Sequence, residues 1–156
     1  MEKHEGTTGW QNVAEVELIY KTKIKSSERP QITCSRDMAE LLKSCWNEYK
    51  IELVEQFKII LLNRANRVLG IVDISTGGVG GTVADPKIIF AAALKANASG
   101  LIISHNHPSG NLNPSRADQE LTQKLKLAAQ ILDINLLDHV IITNEGYYSF
   151  SDEGLL

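Results

Sequence analysis

Two histidines and an aspartate near the middle of the chain restrict how it can fold. His105 and His107 follow the apolar run at residues 101–103. We expect that run to end a buried strand, where two histidines two positions apart point the same way. Asp118 lies eleven residues beyond His107, across a Pro/Gly/Asn loop and in the first turn of a periodic helix. A folded loop would return its carboxylate to the two imidazoles, giving a ligand set typical of catalytic zinc with a water in the fourth position.

Ordinary structural roles account for parts of this pattern. A single histidine is more often a surface or core residue than a metal ligand. Ser115 and Asp118 have the Ser-x-x-Asp spacing of a capping box, in which the serine accepts a backbone N–H and the helix dipole favours the acid. Capping explains that pair, but it does not explain why His105 and His107 stand beside this helix start in a chain with only four histidines.

The same residues form a longer motif. His105-x-His107-Pro108, six further residues and then Ser115-x-x-Asp118 resemble the JAMM motif of MPN-type zinc metalloenzymes. The string from residue 105 to residue 110, with Pro114 before Ser115, is similar to the bacterial RadC-like branch of that family. Further similarity covers roughly the last two thirds of the chain, in segments 55–57, 85–86, 91–98, 137–141 and 148–150.

The resemblance implies a fold and a domain division. The fold is α/β of the MPN/JAB type, a mixed sheet flanked by helices in a cytidine-deaminase-like three-layer arrangement. An N-terminal strand–helix extension is expected at residues 1–48 and the JAMM/MPN domain at residues 49–156. RadC-like proteins usually also carry an N-terminal helix-hairpin-helix region associated with DNA binding. Residues 1–47 contain no paired Gly-x-Gly hairpins of that kind.

The resemblance also implies the roles of four residues near the helix start. His105, His107 and Asp118 are the expected zinc ligands. Ser115 is expected to stabilise the oxyanion of a tetrahedral intermediate, where a donor is needed as negative charge develops. These assignments predict one Zn²⁺ ion as the cofactor.

The resemblance also implies that a glutamate just before the first predicted core strand forms a hydrogen bond with the metal-bound water. Glu55 is the first choice, because it stands in the family's Glu-x-Phe position just before the apolar strand at residues 57–62. Glu52 is the second choice, and a solvated charge at a helix end is the alternative role for both. Such a carboxylate can take a proton from the attacking water and pass it to the leaving amine.

Composition constrains the class of protein. A chain of 156 residues with 43% hydrophobic content can bury one core, and we expect a single domain. Its net charge of −3 and the absence of a basic run give little attraction for nucleic acid. No apolar run approaches the ~20 residues of a membrane span, and the start lacks the apolar core of a signal peptide, so a cytoplasmic location is expected. Cys34 and Cys45 are too far apart for a zinc ribbon and are expected to be buried or reduced thiols.

Hydrophobic periodicity predicts the order of the elements. Residues 13–24 alternate as in a strand, with Lys21, Lys23 and Lys25 on one face keeping an edge strand soluble. Pro86 suits the first position of a helix. The predicted strands are 13–24, 57–62, 68–74, 100–104, 135–143 and 147–149, with a turn at 63–66 joining two of them into a hairpin. The predicted helices are 37–49, 86–97 and 115–132, with Leu41, Leu42 and Cys45 on the apolar side of the first and Leu121, Leu125, Ala128 and Leu132 along the third.

Two further features are ambiguous. The glycines at positions 77, 78, 80 and 81 lack the third glycine of a dinucleotide loop and the Gly-Lys-Ser/Thr of a phosphate loop. A flexible strand edge or turn bordering the substrate groove is the favoured interpretation. His139 lies in an apolar strand and is expected to be a hydrogen-bonded core residue rather than a fourth ligand.

Two functions from different classes remain. The first is a zinc-dependent hydrolase that cleaves a peptide or isopeptide bond in a peptide or protein substrate. The second is an interaction module associated with DNA repair or recombination, in which zinc only stabilises structure. A hydrolase keeps an open coordination position and a nearby carboxylate such as Glu55, whereas a structural zinc site is closed by a fourth protein ligand.

Overall fold

Five strands form one mixed sheet in the computed structural model, which describes residues 13–78 and 82–156. Strands β3 and β4 are parallel, and the other neighbouring strands are antiparallel. In chain order the strands are β1 (Gln56–Leu62), β2 (Val68–Thr76), β3 (Gly100–Asn106), β4 (Asn135–Ile142) and β5 (Tyr147–Ser149), and across the sheet they run β2-β1-β3-β4-β5. Three α-helices flank them: α1 (Ser35–Cys45), α2 (Pro86–Lys95) and α3 (Arg116–Ile131). The predicted α/β fold is confirmed.

The helices cover both faces of the sheet, which makes three layers. Side chains of α2 and α3 form one cluster with Phe57, Ile59 and Leu61 of β1. Side chains of α1 form a second cluster with Ile60 and Leu62 of the same strand. Because both faces are covered, every residue of β1 and β3 is buried, as expected for central strands of an α/β sheet.

The predicted hairpin is confirmed, and β3 is longer than predicted. Asn63 closes the turn by accepting backbone hydrogen bonds from Ala65 and Arg67, while Asn66 adopts a φ of 55°. Strand β3 continues past the predicted end at residue 104 through Asn106, because its pairing with β4 continues to that residue. His105 therefore lies within the sheet and is held by both neighbouring strands.

The prediction of a strand at residues 13–24 is wrong. These residues join no strand in the described part of the chain. Val13, Val16 and Leu18 are largely exposed, and the hydroxyl of Tyr20 donates to the carbonyl of Leu69, 2.5 Å away. The three lysines at 21, 23 and 25 are exposed but do not lie on an edge strand. Alternation alone does not form a strand, because backbone pairing with a neighbour is also required.

Helix α1 begins and ends earlier than the predicted range of residues 37–49. Asp37 accepts backbone hydrogen bonds from Thr33 and Cys34 and fixes the start. After Cys45 the Asn47 side chain accepts from the Tyr49 backbone, a local bond that competes with the helix.

The apolar face of α1 also differs from the prediction. Met38, Ala39 and Leu42 are buried, Leu41 is half-buried and Cys45 is exposed. Cys34 is exposed as well, so of the two predicted alternatives, buried or reduced thiols, neither thiol is buried and both are free of disulfides.

Helix α2 starts where predicted, and α3 starts one residue later, at Arg116, with Ser115 as its N-cap. Helix α2 begins at Pro86 but ends at Lys95, where Asn97 turns the chain with a φ of 51°. Of the predicted stripe in α3, Leu125 is fully buried and Leu121 and Ala128 pack half-buried against the core, whereas Leu132 is exposed. Thr122 and Ala129 are also buried, and the prediction did not include them. The longest helix in the described part of the chain has 16 residues. Within residues 13–78 and 82–156, no helix is long and apolar enough to cross a membrane.

Candidate metal centre

The predicted metal ligands lie together at the carboxyl end of β3. His105 is the next-to-last residue of β3, and His107 follows the strand, with its backbone N–H donating to the carbonyl of Ile142 at the end of β4. A loop then leads to Asp118 in the first turn of α3. The parallel pair β3 and β4 and the start of α3 thereby place the three side chains at the same end of the molecule.

The side chains of His105, His107 and Asp118 converge on one point. The Nε2 atoms of the two histidines are 2.9 Å apart. Asp118 Oδ1 lies 3.3 Å from His105 Nε2, and its Oδ2 lies 3.7 Å from His107 Nε2. All three ligand atoms lie within 4.8 Å of one another, a separation that one metal ion can bridge.

Asp118 serves the helix cap and the cluster at once. Its Oδ2 accepts from the Ser115 backbone N–H at 2.7 Å, and its own N–H donates to the Ser115 hydroxyl oxygen at 3.1 Å, which completes a capping box. The same carboxylate faces both imidazoles. The capping role and the cluster role, which the sequence leaves as alternatives, are therefore compatible for this residue.

The close approach of these groups shifts the pKa values of Asp118 and His107. Burial alone would raise the pKa of Asp118, but its bonds to His105 and His107 hold that pKa well below the usual range. The bond to Asp118 in turn raises the pKa of His107, against the opposing effect of burial. The carboxylate is therefore ionised and gives the cluster a negative centre.

A groove beside the cluster contains the other predicted site residues. Its lining includes Glu52, Glu55, His107 and Ser115. Glu52 is exposed and accepts a hydrogen bond from the side chain of Asn144, 3.1 Å away. Glu55 is half-buried, and within the described residues its carboxylate makes no hydrogen bond or ion pair, so it is available to a bound molecule. Both glutamates thus reach the groove, and Glu55 is the less engaged of the two.

Comparison with known proteins identifies the family. A sequence model of the RadC-like JAB domain matches residues 32–155. The chain belongs to the RadC-like JAB domain family. It is 44% identical over 125 residues to a UPF0758 protein of Flavobacterium johnsoniae, covering 80% of this chain and 53% of that protein. It is 40% identical over 126 residues to a UPF0758 protein of Clostridium beijerinckii, covering 81% of this chain and 54% of the relative. The chain therefore spans about half the length of the curated relatives that it matches.

The donor set of this RadC-like JAB domain fits a divalent metal ion. His107 Nδ1 lies 2.5 Å from the carbonyl oxygen of Asn111 and must donate to it, because a carbonyl only accepts. In a neutral ring the Nε2 of His107 then carries a lone pair, which faces His105 Nε2 and the Asp118 carboxylate. A lone pair on His105 Nε2, 2.9 Å away, would repel the lone pair of His107 unless a proton or a cation lies between the two nitrogens. Within residues 13–78 and 82–156, no other group of histidine, cysteine and acidic side chains converges in this way.

Asn106 is a site residue that the sequence reasoning missed. It is fully buried between the two histidines in sequence, and its side chain points to the opposite side of β3. Its Oδ1 accepts from Gln56 N at 2.7 Å, and its Nδ2 donates to the carbonyls of Ile51 and Val54 at 2.7 and 2.9 Å. These bonds enclose Glu55 on both sides along the chain. The sequence did contain one sign of this role: Asn106 stands between two predicted ligands at the end of a buried strand, where a polar side chain needs hydrogen-bond partners.

The glycine-rich segment of the RadC-like JAB domain begins beside Glu55. The N–H of Gly77 donates to the carbonyl of Glu55 at 2.8 Å, and this bond extends the pairing of β1 with β2. Gly77 therefore borders the glutamate that faces the groove. The rest of the predicted strand edge or turn includes residues 79–81, which lie outside the described residues.

His139 is a buried, hydrogen-bonded residue, as predicted. It is 0% exposed, and burial lowers its pKa well below the usual range. Its ring stacks on Phe150 at 4.5 Å between centroids. It contacts His105 and Thr122 and is not one of the three converging ligands.

Proposed function

We propose that this RadC-like JAB domain is a zinc-dependent hydrolase that cleaves peptide or isopeptide bonds. The observation that carries the proposal is the convergence of His105, His107 and Asp118 beside a groove that contains Glu55 and Ser115. Membership of the family supports a metal-dependent hydrolase, and the ligand chemistry supports zinc. A peptide or protein is the proposed substrate.

The three ligand residues would hold one zinc ion through two imidazole nitrogens and one carboxylate oxygen. When bound, the ion would polarise the scissile carbonyl group and lower the pKa of a water molecule to about 7. Among the described residues, no fourth histidine, cysteine or acidic side chain completes the group. This favours an open catalytic site over the closed structural site that a DNA-associated interaction module would require.

Glu55 would act as the general base and then as the general acid. Its carboxylate accepts a proton from the attacking water while the water oxygen forms a bond to the carbonyl carbon. The same proton then passes to the nitrogen of the leaving amine as the C–N bond breaks. Its half-buried position on the groove wall, without a hydrogen bond from described side chains, supports this role over that of Glu52.

Ser115 would stabilise the negative oxygen of the tetrahedral intermediate. Its hydroxyl oxygen already accepts from the Asp118 N–H, which orients the side chain at the helix start. Ser115 lines the groove, and its hydroxyl donates to no acceptor among the described residues. A donor fixed in this way needs little reorganisation when charge develops on the substrate.

The test compares Glu55→Gln with Glu52→Gln in zinc-loaded protein, using a peptide library and measuring zinc content in parallel. Glu55→Gln should keep zinc and lose turnover by a factor of about 10²–10⁴, because the amide cannot accept the proton. Glu52→Gln is the matched control and should have a much smaller effect. If Glu52 proves essential instead, the assignment of the base is wrong. Hydrolysis that continues after chelation and after His105→Ala would contradict the proposed function.

A further inference from the structure

A chain of buried hydrogen bonds leads from His105 away from the cluster. His105 Nδ1 lies 2.8 Å from His139 Nε2, and His139 Nδ1 lies 2.6 Å from the hydroxyl oxygen of Thr122. The Thr122 hydroxyl donates to the backbone carbonyl of Asp118, also at 2.6 Å. His139 and Thr122 are 0% exposed and His105 is 1% exposed, so water does not replace these partners.

The direction of each hydrogen bond follows from the Asp118 carbonyl, the acceptor at the end of the chain of bonds. Thr122 has one hydroxyl proton and gives it to the Asp118 carbonyl, which can only accept. The hydroxyl oxygen must therefore accept from His139 Nδ1, which then carries the ring proton. In a neutral imidazole the other nitrogen is an acceptor, so His139 Nε2 accepts from His105 Nδ1.

This order leaves the lone pair of His105 on Nε2. That atom lies 2.9 Å from His107 Nε2 and 3.3 Å from Asp118 Oδ1, so it faces the cluster. The opposite tautomer would place a proton on Nε2 and prevent it from binding a metal ion. The neutral state of His139 is supported by its burial against Phe150 and by the absence of a side-chain bond to an acid among the described residues.

The chain of bonds also joins the elements that supply the ligands. His105 belongs to β3, His139 to β4, and Thr122 and Asp118 to α3. The hydrogen bonds thus connect the imidazole of His105 with the backbone carbonyl of Asp118. A shift of α3 against the sheet would therefore move both Asp118 and Thr122, the hydrogen-bond partner of His139.

We propose that Thr122 and His139 are positioning residues that fix His105 as the Nδ1–H tautomer and so set the affinity of the site for its metal. The proposal rests on the proposed metal site and goes beyond it by assigning a role to two residues that touch neither metal nor substrate. Partners of this kind typically change metal affinity by about 10–100-fold when they are removed.

The experiment uses Thr122→Val, Thr122→Ser and Ser104→Ala in the full chain. Valine removes the hydroxyl while keeping a similar shape, and serine restores the hydroxyl. Ser104→Ala is the matched control, because that buried hydroxyl donates to the Val140 carbonyl and touches neither imidazole of this chain of bonds. Zinc affinity is measured by competition with a chromogenic chelator, and thermal melting of the metal-free form shows whether each variant folds.

A second experiment measures the tautomer of His139 directly and needs no metal. Nitrogen-15 spectra of histidine-labelled, metal-free protein distinguish the two tautomers of each ring at alkaline pH, where imidazoles are neutral. Because the Thr122 hydroxyl oxygen accepts from His139 Nδ1, we expect the Nδ1–H tautomer of His139 in the wild type and in Thr122→Ser, and a mixture of tautomers in Thr122→Val. Zinc affinity should fall by about 10–100-fold in Thr122→Val and stay near the wild-type value in the other two variants.

The outcomes separate this inference from the proposed function. A wild-type chain that binds no zinc refutes the metal site, while the spectra still report the tautomer of His139. A folded Thr122→Val that binds zinc as tightly as the wild type refutes the role of the hydrogen bonds and leaves the hydrolase proposal intact. If Thr122→Val does not fold, the wild-type spectrum decides, because Nε2–H on His139 would reverse the direction of these bonds and overturn the inference.

Discussion

Replacing Asn106 with alanine should destabilise the protein without weakening the metal site. The asparagine side chain is fully buried and makes three hydrogen bonds, one with the N–H of Gln56 and one with each of the carbonyls of Ile51 and Val54. These bonds hold the segment that contains Glu55 against the end of β3. Alanine keeps β3 intact and leaves the three backbone groups without their partner.

The size of the effect follows from those three bonds. A buried hydrogen bond contributes about 1 kcal/mol net, and a buried group left without a partner costs about 1–3 kcal/mol. Ile51 and Gln56 are buried, whereas Val54 is half-buried and can recover part of its bond from water. We therefore expect Asn106→Ala to lower the free energy of unfolding by about 3–6 kcal/mol.

The assay is urea unfolding of the metal-free chain, with Asn144→Ala as the control. Asn144 makes one exposed bond, to Glu52, and its loss should change the free energy of unfolding by less than about 0.5 kcal/mol. Zinc affinity of Asn106→Ala should match the wild type, while turnover should fall because Glu55 is no longer held. An unfolding midpoint that moves no further than in Asn144→Ala would refute this account of the amide.

Three further substitutions test the helix start and the core. Ser115→Ala should cost about 1 kcal/mol of stability in urea unfolding, with zinc retained and turnover reduced roughly a hundredfold; zinc loss would show that the hydroxyl is a ligand. Asp118→Asn keeps an acceptor for the Ser115 N–H but is an uncharged, poorer ligand, so calorimetry should show a sharp fall in zinc affinity while the metal-free melting temperature changes little. Unchanged affinity with a lower melting temperature would show that Asp118 only caps α3. Leu42→Ala should cost about 2–5 kcal/mol in the same unfolding assay, because Leu42 is 0% exposed, and a negligible cost would mean that α1 does not cover the sheet in solution.

The sequence predicted the elements that depend on local signals. Pro86 marked the start of α2, and the asparagine-rich turn at residues 63–66 marked the hairpin. The spacing of His105 and His107 from Asp118 predicted their convergence, because a strand end and a helix start restrict where the connecting loop can go.

The sequence did not reveal features that depend on tertiary partners. Residues 13–24 have a strand pattern but no paired neighbour in the described part of the chain. The buried face of α3 includes Thr122, although hydrophobic periodicity places a threonine on the surface. Thr122 can be buried because its hydroxyl is hydrogen-bonded to His139 of β4 and to the Asp118 carbonyl one turn earlier. Asn106 was missed for the same reason, since the backbone groups that it binds lie about fifty residues earlier in the chain.

The central claim is that His105, His107 and Asp118 together bind one zinc ion. Elemental analysis of protein purified without chelator, combined with zinc competition, tests it most directly on the wild type and on the double variant His105→Ala/His107→Ala. We expect one zinc per wild-type chain and none in the double variant, with the fold of both confirmed by circular dichroism. A double variant that remains fully loaded with zinc would contradict the claim.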